Sequence, residues 1–212
     1  MSDVTYQGIP GVRIPYYDVA GNESGAVRIR KQLQKSADYD DRFVWKQGSK
    51  LCLYGLNRKY SDAYCILCEG ESDCHTLWYH GFPALGVPGA SNWKEERDAY
   101  HLNGIKTIYV IIEPDQGGEA TRKWLVSSHI RTKAKLIFLH EHKDPSELYL
   151  DDPQHFKEQF QAEMDRAESW TDLESAKLKR ILNSVWSQCS TKLLPIGSGN
   201  HSCKLLHRSP AG

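Results

Sequence analysis

The sequence has no long hydrophobic run, and no stretch of its 212 residues approaches the ~20 apolar residues that cross a bilayer. Its first residues, Met-Ser-Asp-Val, lack the basic and apolar regions of a secretory signal peptide. Both absences favour a soluble protein of the cytoplasm that has no membrane partner. In that compartment the six cysteines are expected to be reduced thiols rather than disulfides.

The chain also lacks an excess of either charge, because its 27 basic residues equal its 27 acidic residues. Its overall charge therefore requires no polyanionic partner. The charges are unevenly distributed, however, since residues 26–59 contain nine Lys and Arg against three Asp. This surplus indicates a basic face in the first third of the chain. Charge alone leaves open whether that face binds phosphates or is only solvated.

Cys65 and Cys68 form a C-x-x-C pair, a spacing found in zinc and redox sites. Both cysteines lie in a predicted strand, where residues three apart point to opposite faces and cannot bind one metal ion. They are therefore expected to be core residues.

Strand and helix patterns alternate along the middle of the chain. Apolar runs of strand length begin near residues 63, 83, 105 and 134, and helices are predicted at about residues 72–80, 92–102 and 118–129. This alternation predicts an α/β fold, with a Rossmann-like parallel sheet flanked by helices. Residues 11–33 before it predict a hairpin in which Arg28 and Arg30 share one strand face. The early residues thus form a small, basic, mainly antiparallel subdomain, and residues beyond 150 are expected to be helical.

Acidic residues follow three of the predicted strands. Glu69 ends the first strand with Asp73 close behind, Glu113 and Asp115 end the third, and Asp144 follows the fourth. Residues two apart in an extended segment point the same way, so Glu113 and Asp115 can face one ion. Clustered carboxylates without His or thiolate favour Mg²⁺ or Mn²⁺, and Mg²⁺ prefers sites where phosphates complete its shell. The alternative is that these acids are solvated or support helix N-termini, and for Asp144 both interpretations stay open.

Two acidic segments resemble the motifs of the TOPRIM domain. The sequence LCEGESD at residues 67–73 is similar to the strand that ends in glutamate and glycine, and IEPDQGG at residues 112–118 is similar to D-x-D followed by glycine. Glu113 stands where an aspartate is usual. WKQGSKLCLYGL at residues 45–56 resembles the segment before TOPRIM in DnaG-type primases, and HKDPSE at residues 142–147 resembles the acidic segment after its last strand. The resemblance covers residues 10–150.

This resemblance implies the catalytic core of a DNA primase from a phage, plasmid or other mobile element. Such a nucleotidyltransferase makes RNA primers on single-stranded DNA from nucleoside triphosphates, with a replicative helicase acting in trans or in a longer chain. The implied catalytic residues are Glu69, Glu113 and Asp115. The implied ligands of Mg²⁺ or Mn²⁺ are Glu69, Asp73, Glu113, Asp115 and Asp144. The implied phosphate contacts are Arg28, Arg30 and Lys46.

The expected domains are the basic subdomain at residues 1–60, TOPRIM at residues 61–150, C-terminal helices at residues 151–190 and a flexible tail at residues 191–212. The sequence contains neither an N-terminal zinc-binding module nor the phosphate loop of a helicase motor. Another protein or a longer chain would therefore supply template recognition and unwinding. Two other functions stay open, namely a TOPRIM nuclease and a non-catalytic nucleic-acid-binding replication protein.

Overall fold

A computed structural model describes residues 1–34, 42–58, 60, 62–177 and 180. Met1–Leu173 form one compact unit and Glu174–Gly212 form a second. Residues 170–177 are helical and lie within the segment of C-terminal helices expected at residues 151–190. Residues 178, 179 and 181–190 of that segment, and the tail expected at residues 191–212, lie outside the described residues.

The chain begins with a four-stranded antiparallel sheet. Its strands are β1 (Ser2–Tyr6), β2 (Ile9–Tyr17), β3 (Glu23–Arg30) and β4 (Phe43–Trp45), which pair in chain order. β2 and β3 form the predicted hairpin, and the predicted alternation is confirmed because Val27 and Ile29 are buried while Arg28 and Arg30 are partly exposed. β1 was not predicted, because its residues are mostly polar and exposed.

The second sheet confirms the predicted α/β class. Its elements are β5 (Tyr64–Cys68), α1 (Glu71–Tyr79), β6 (Ala84–Gly86), α2 (Glu95–Asp98), β7 (Thr107–Ile111), α3 (Gln116–Ser127), β8 (Ala134–Ile137), α4 (Pro145–Asp151), α5 (Phe156–Arg166) and β9 (Glu168–Ser169). The strand order is β6-β5-β7-β8-β9. The first four strands are parallel, and the short edge strand β9, which was not predicted, is antiparallel. Because the chain reverses its winding direction between β5 and β7, the carboxyl ends of these strands border the crevice where such sheets bind ligands.

The prediction of one continuous helix at residues 92–102 is wrong. The structure has a 3₁₀ turn at Ala90–Asn92, the single turn of α2 and another 3₁₀ turn at Ala99–Leu102. The buried carboxylate of Asp98 accepts a hydrogen bond from the backbone N–H of Lys94 at 2.9 Å and from the guanidinium of Arg97 at 2.7 Å. Such local bonds between side chain and backbone compete with regular helix.

The two sheets share one hydrophobic core. Ile14 and Tyr16 of the antiparallel sheet lie in the same buried cluster as Leu77 of α1 and Phe156 of α5. A second cluster covers the opposite face of the parallel sheet. Cys68 belongs to the first cluster and Cys65 to the second, which confirms that these cysteines are core residues on opposite faces.

The four described cysteines are all free thiols. No helix among the described residues has the length and apolar character that a bilayer crossing needs.

Candidate active site

The parallel sheet brings three acidic segments to one edge. Glu69 directly follows β5, Glu113 lies two residues beyond β7, and Asp144 lies between β8 and α4. Since β5, β7 and β8 are neighbouring parallel strands, their carboxyl ends lie side by side. The structure therefore has the acidic edge that the sequence predicts.

Glu113 and Asp115 meet at the ammonium group of Lys143. The Lys143 Nζ lies 2.9 Å from Glu113 Oε2 and 3.1 Å from Asp115 Oδ2. Glu113 is buried, whereas the Asp115 side chain is 42% exposed. Two carboxylate oxygens from one extended segment thus converge on a single cation position, as the spacing of two residues predicts.

Asp115 also begins α3. Its Oδ1 accepts hydrogen bonds from the backbone N–H groups of Gly117 at 2.8 Å and Gly118 at 3.3 Å. This is the geometry of an N-cap, in which a side-chain oxygen satisfies N–H groups that have no partner within the helix. Asp115 therefore has two roles, since Oδ1 caps the helix while Oδ2 faces the cation.

The two glycines after Asp115 allow close packing at the helix start. A Cβ atom on Gly117 would overlap with Glu69 Oε2, and a Cβ atom on Gly118 would overlap with the carbonyl oxygen of Glu113. The first turn of α3 consequently packs directly against the end of β7 and the Glu69 carboxylate. Gly118 is therefore required by geometry, because its close neighbour is backbone, whereas the atom beside Gly117 is the end of a flexible side chain that is able to shift.

We expect Gly118→Ala to lower the free energy of unfolding by about 2 kcal/mol, because its methyl group would push against backbone. Helix propensity alone would favour alanine by about 1 kcal/mol, so the sign of the change separates the two effects. Urea denaturation measures it. Gly104→Ala is the matched control, because a Cβ atom there meets no atom within 4 Å. Equal stability of the two variants would contradict the close packing.

Burial and neighbouring charge raise the pKa of the site's glutamates. Burial raises the pKa of Glu113 to about 7, although the hydrogen bond and charge of Lys143 act in the opposite direction. Burial also raises the pKa of Glu69, and the charge of Asp115 adds to this effect. The site is thus short of positive charge, and an added cation would favour the ionised form of both glutamates.

The pKa values of Asp115 and Lys143 are shifted as well. Burial opposes ionisation of Asp115, but the hydrogen bond and charge of Lys143, with the N–H groups of Gly117 and Gly118, lower its pKa. Burial would lower the pKa of Lys143, yet its hydrogen bonds and ion pairs with Glu113 and Asp115 raise it. Lys143 is therefore charged at neutral pH.

The carboxylates of Asp73 and Asp144 accept hydrogen bonds from residues at the start of α4. Asp73 is 3% exposed, and its Oδ1 accepts hydrogen bonds from the hydroxyl of Ser146 at 2.6 Å and from the Ser146 backbone N–H at 3.3 Å. Burial, followed by the charge of Asp144, raises the pKa of Asp73 to about 6. Asp144 caps α4 by accepting a hydrogen bond from the backbone N–H of Glu147. The helix α1 begins after Gly70 without a side-chain cap.

The predicted phosphate contacts lie on the antiparallel sheet. Arg28 donates to the buried carboxylate of Glu71 at 3.0 Å, and its guanidinium lies 4.4 Å from the centre of the Phe43 ring. Arg30 lies at the end of β3 and donates to backbone carbonyls of the following residues. Lys46 is exposed directly after β4. Arg28 is thus tied to a structural ion pair, whereas Lys46 faces solvent.

The chemistry of Glu113 and Asp115 fits a magnesium ion. Within the described residues, no three His, Cys, Asp or Glu side chains converge as a closed metal site would require. Mg²⁺ is commonly held by one or two carboxylates, with waters and substrate phosphates completing its shell. The shared contact with Lys143 indicates that these two carboxylates already converge on one cation. Glu69 lies beside them, while Asp73 and Asp144 have partners in α4.

Sequence reasoning missed three partners in and near this site. Lys143 lies within residues 142–147, which resemble the acidic segment after the last TOPRIM strand. No local pattern indicates that its ammonium reaches Glu113 and Asp115. Ser146 is 73 residues from its partner Asp73, and Glu71, the third missed partner, is 43 residues from Arg28. Pairs this far apart are set by the fold, so the sequence carries no local signal for them.

Comparisons with known proteins show what the fold of this chain is similar to. No protein-family model matches the chain, and a search of curated proteins finds no significant match. Among solved structures, the chain is similar to one from a bacteriophage T7 complex of lagging-strand DNA polymerase with primase domains of two gp4 subunits bound to an RNA/DNA hybrid and dTTP. The TM-score is 0.61 at 18% identity, over 79% of this chain and 83% of the other.

Bacterial primases have the same fold. A DNA primase domain from Pseudomonas aeruginosa matches with a TM-score of 0.63 at 20% identity, over 84% of this chain and 59% of the other. The DnaG primase catalytic domain bound to ssDNA matches with a TM-score of 0.60 at 19% identity, over 79% of this chain and 58% of the other. The chain therefore spans less than three fifths of these two proteins' matched chains. Its fold is that of a DnaG-type primase catalytic core.

Proposed function

We propose that this protein is the catalytic core of a DNA primase, which joins ribonucleotides on a single-stranded DNA template in a metal-dependent reaction. The observation that carries the proposal is the convergence of Glu113 and Asp115 on one cation position, 2.9 and 3.1 Å from Lys143 Nζ. This cation position lies at the edge of the parallel sheet where such folds bind ligands, in a chain that has the primase core fold. The similar T7 complex holds an RNA/DNA hybrid and dTTP, and the similar DnaG domain holds ssDNA.

The reaction forms a bond between a 3′-hydroxyl oxygen and the α-phosphorus of an incoming nucleotide and releases pyrophosphate. Glu113 and Asp115 would hold Mg²⁺ or Mn²⁺, which when bound neutralises charge on the triphosphate. Glu69 lies against the start of α3, beside Asp115. A bound cation would keep its carboxylate ionised and able to accept a proton, so we assign it the proton of the attacking hydroxyl.

The antiparallel sheet would contact the template. Lys46 is exposed, and Arg30 is partly exposed on the same sheet. Both are suited to phosphate contacts, which supply affinity without reading sequence. Arg28 would support this face through its ion pair with Glu71, although part of its guanidinium stays accessible because its side chain is 22% exposed.

A template-dependent dinucleotide assay tests the proposal. The protein is incubated with a mixed pool of single-stranded oligonucleotides, labelled ribonucleoside triphosphates and Mg²⁺ or Mn²⁺. We expect labelled dinucleotides and longer products that require protein, template and divalent cation, and that disappear with EDTA.

Two outcomes would overturn the proposal, and each supports one of the other functions. Nicking of supercoiled plasmid in Mn²⁺ without nucleotide incorporation would identify a nuclease that uses the same acids to cleave. Binding of single-stranded DNA that is indifferent to EDTA, without any reaction, would identify a non-catalytic binding protein.

A further inference from the structure

Lys143 stands in the position that a metal ion would need. Its ammonium contacts one oxygen of Glu113 and one oxygen of Asp115. Among the described residues, Lys143 makes every ion pair that these two carboxylates have. A divalent ion held by the same two oxygens would lie within a few ångströms of the ammonium, and two cations at that distance repel strongly in a partly buried site.

The side chain of Lys143 is able to leave this position without a backbone movement. It is 48% exposed, and four rotatable carbons separate its charge from the chain. Its backbone N–H donates to the carboxylate of Glu147 in the first turn of α4, which fixes the loop. The backbone is therefore anchored while the ammonium group can rotate into solvent.

We propose that Lys143 is a displaceable internal counter-ion, which holds Glu113 and Asp115 together in the metal-free protein and leaves when a divalent cation binds. Metal binding is then an exchange of one cation for another, and the ammonium group lowers the apparent affinity for the metal. This inference rests on the metal role of Glu113 and Asp115 in the proposed function, but it concerns binding rather than turnover.

Direct metal binding tests the exchange. Mn²⁺ is titrated into the full chain without nucleotide or DNA, and the free ion is quantified by its electron paramagnetic resonance signal. Because two partly exposed ion pairs no longer compete, we expect Lys143→Gln to bind Mn²⁺ about tenfold more tightly than the unmodified protein. The control Lys123→Gln removes the same charge from an exposed position on α3 and should leave the affinity unchanged.

A double variant establishes that the gain belongs to this site. Adding Asp115→Asn to Lys143→Gln should abolish the tighter binding. The proposal is overturned if Lys143→Gln binds Mn²⁺ no more tightly than the unmodified protein, if neither protein binds it, or if the gain survives in the double variant.

A second measurement needs no substitution and so does not depend on a variant that folds. Lysine acetylation by a water-soluble active ester is followed by mass spectrometry with and without saturating Mn²⁺. Labelling of Lys143 should become severalfold faster with metal, while labelling of Lys123 stays constant. An unchanged or slower rate at Lys143 would overturn the exchange.

These measurements are separate from primer synthesis. A protein that makes no primers can still exchange Lys143 for Mn²⁺, and a working primase can bind metal without displacing Lys143. Failure of the exchange is therefore distinguishable from failure of the proposed function.

Discussion

An Asp115→Asn protein is expected to fold normally and to lose template-directed dinucleotide synthesis by about 100-fold or more, since charge stabilisation in the transition state is commonly the largest catalytic effect. Asparagine caps a helix as well as aspartate does, so the bonds to Gly117 and Gly118 should remain. The substitution removes only the negative charge that faces the cation. The rate of dinucleotide formation at saturating Mg²⁺ is the measurement.

The matched control for this variant is Asp152→Asn. Asp152 also accepts a hydrogen bond from a nearby backbone N–H, that of His155, and it lies at the far end of α4 from the acidic site. Its synthesis rate should equal that of the unmodified protein. If Asp115→Asn retains more than half of the activity, or if both variants lose activity equally, the assigned metal role of Asp115 is wrong.

A Glu71→Gln protein is expected to lose about 3 kcal/mol of unfolding free energy, because breaking one partner of a buried ion pair leaves the other charge uncompensated. Glu71 is 4% exposed and accepts hydrogen bonds from the hydroxyl of Tyr16 at 2.7 Å and from Arg28 at 3.0 Å. The partial exposure of Arg28 limits the loss to the lower end of the range for buried pairs. The change is measured from the midpoint of urea denaturation, with the slope of unfolding free energy against urea concentration checked to be the same in both proteins.

A double-mutant cycle separates the ion pair from general damage to the core. Replacing both partners, as in Arg28→Met with Glu71→Met, removes both charges and should cost less than the sum of the single changes. Glu96→Gln, on an exposed position of α2, is the control and should change stability by less than about 0.5 kcal/mol. Additive losses in the cycle would show that Arg28 and Glu71 do not stabilise each other.

The sequence predicts the parallel sheet and its acidic edge because both depend on local patterns. Apolar runs of strand length show where β5, β7 and β8 lie, and the acids that end them must share an edge once the strands are parallel. The opposite faces of Cys65 and Cys68 follow from the two-residue period of a strand. These features are predictable without knowing which distant residues contact them in the fold.

The features that the sequence does not predict depend on partners far along the chain or on competition between local bonds. Asp73 has the spacing of a metal ligand, yet Ser146 lies beside it because α1 and α4 pack against each other. The sequence suggests Arg28 as a phosphate contact, but in the folded protein its guanidinium forms an ion pair with Glu71. The helix expected at residues 92–102 is interrupted, and there the Asp98 carboxylate accepts the backbone N–H of Lys94, which a continuous helix would pair with a backbone carbonyl.

The core that the two sheets share also limits how this protein can diverge. Ile14 and Tyr16 pack in one cluster with Leu77, so a recombination event that exchanged only the antiparallel sheet would bring side chains unmatched to that cluster. It would also leave Glu71 buried without its arginine. The two sheets are therefore expected to be inherited as one piece. Engineered chimaeras are best joined after Leu173, where the compact unit ends, rather than between β4 and β5.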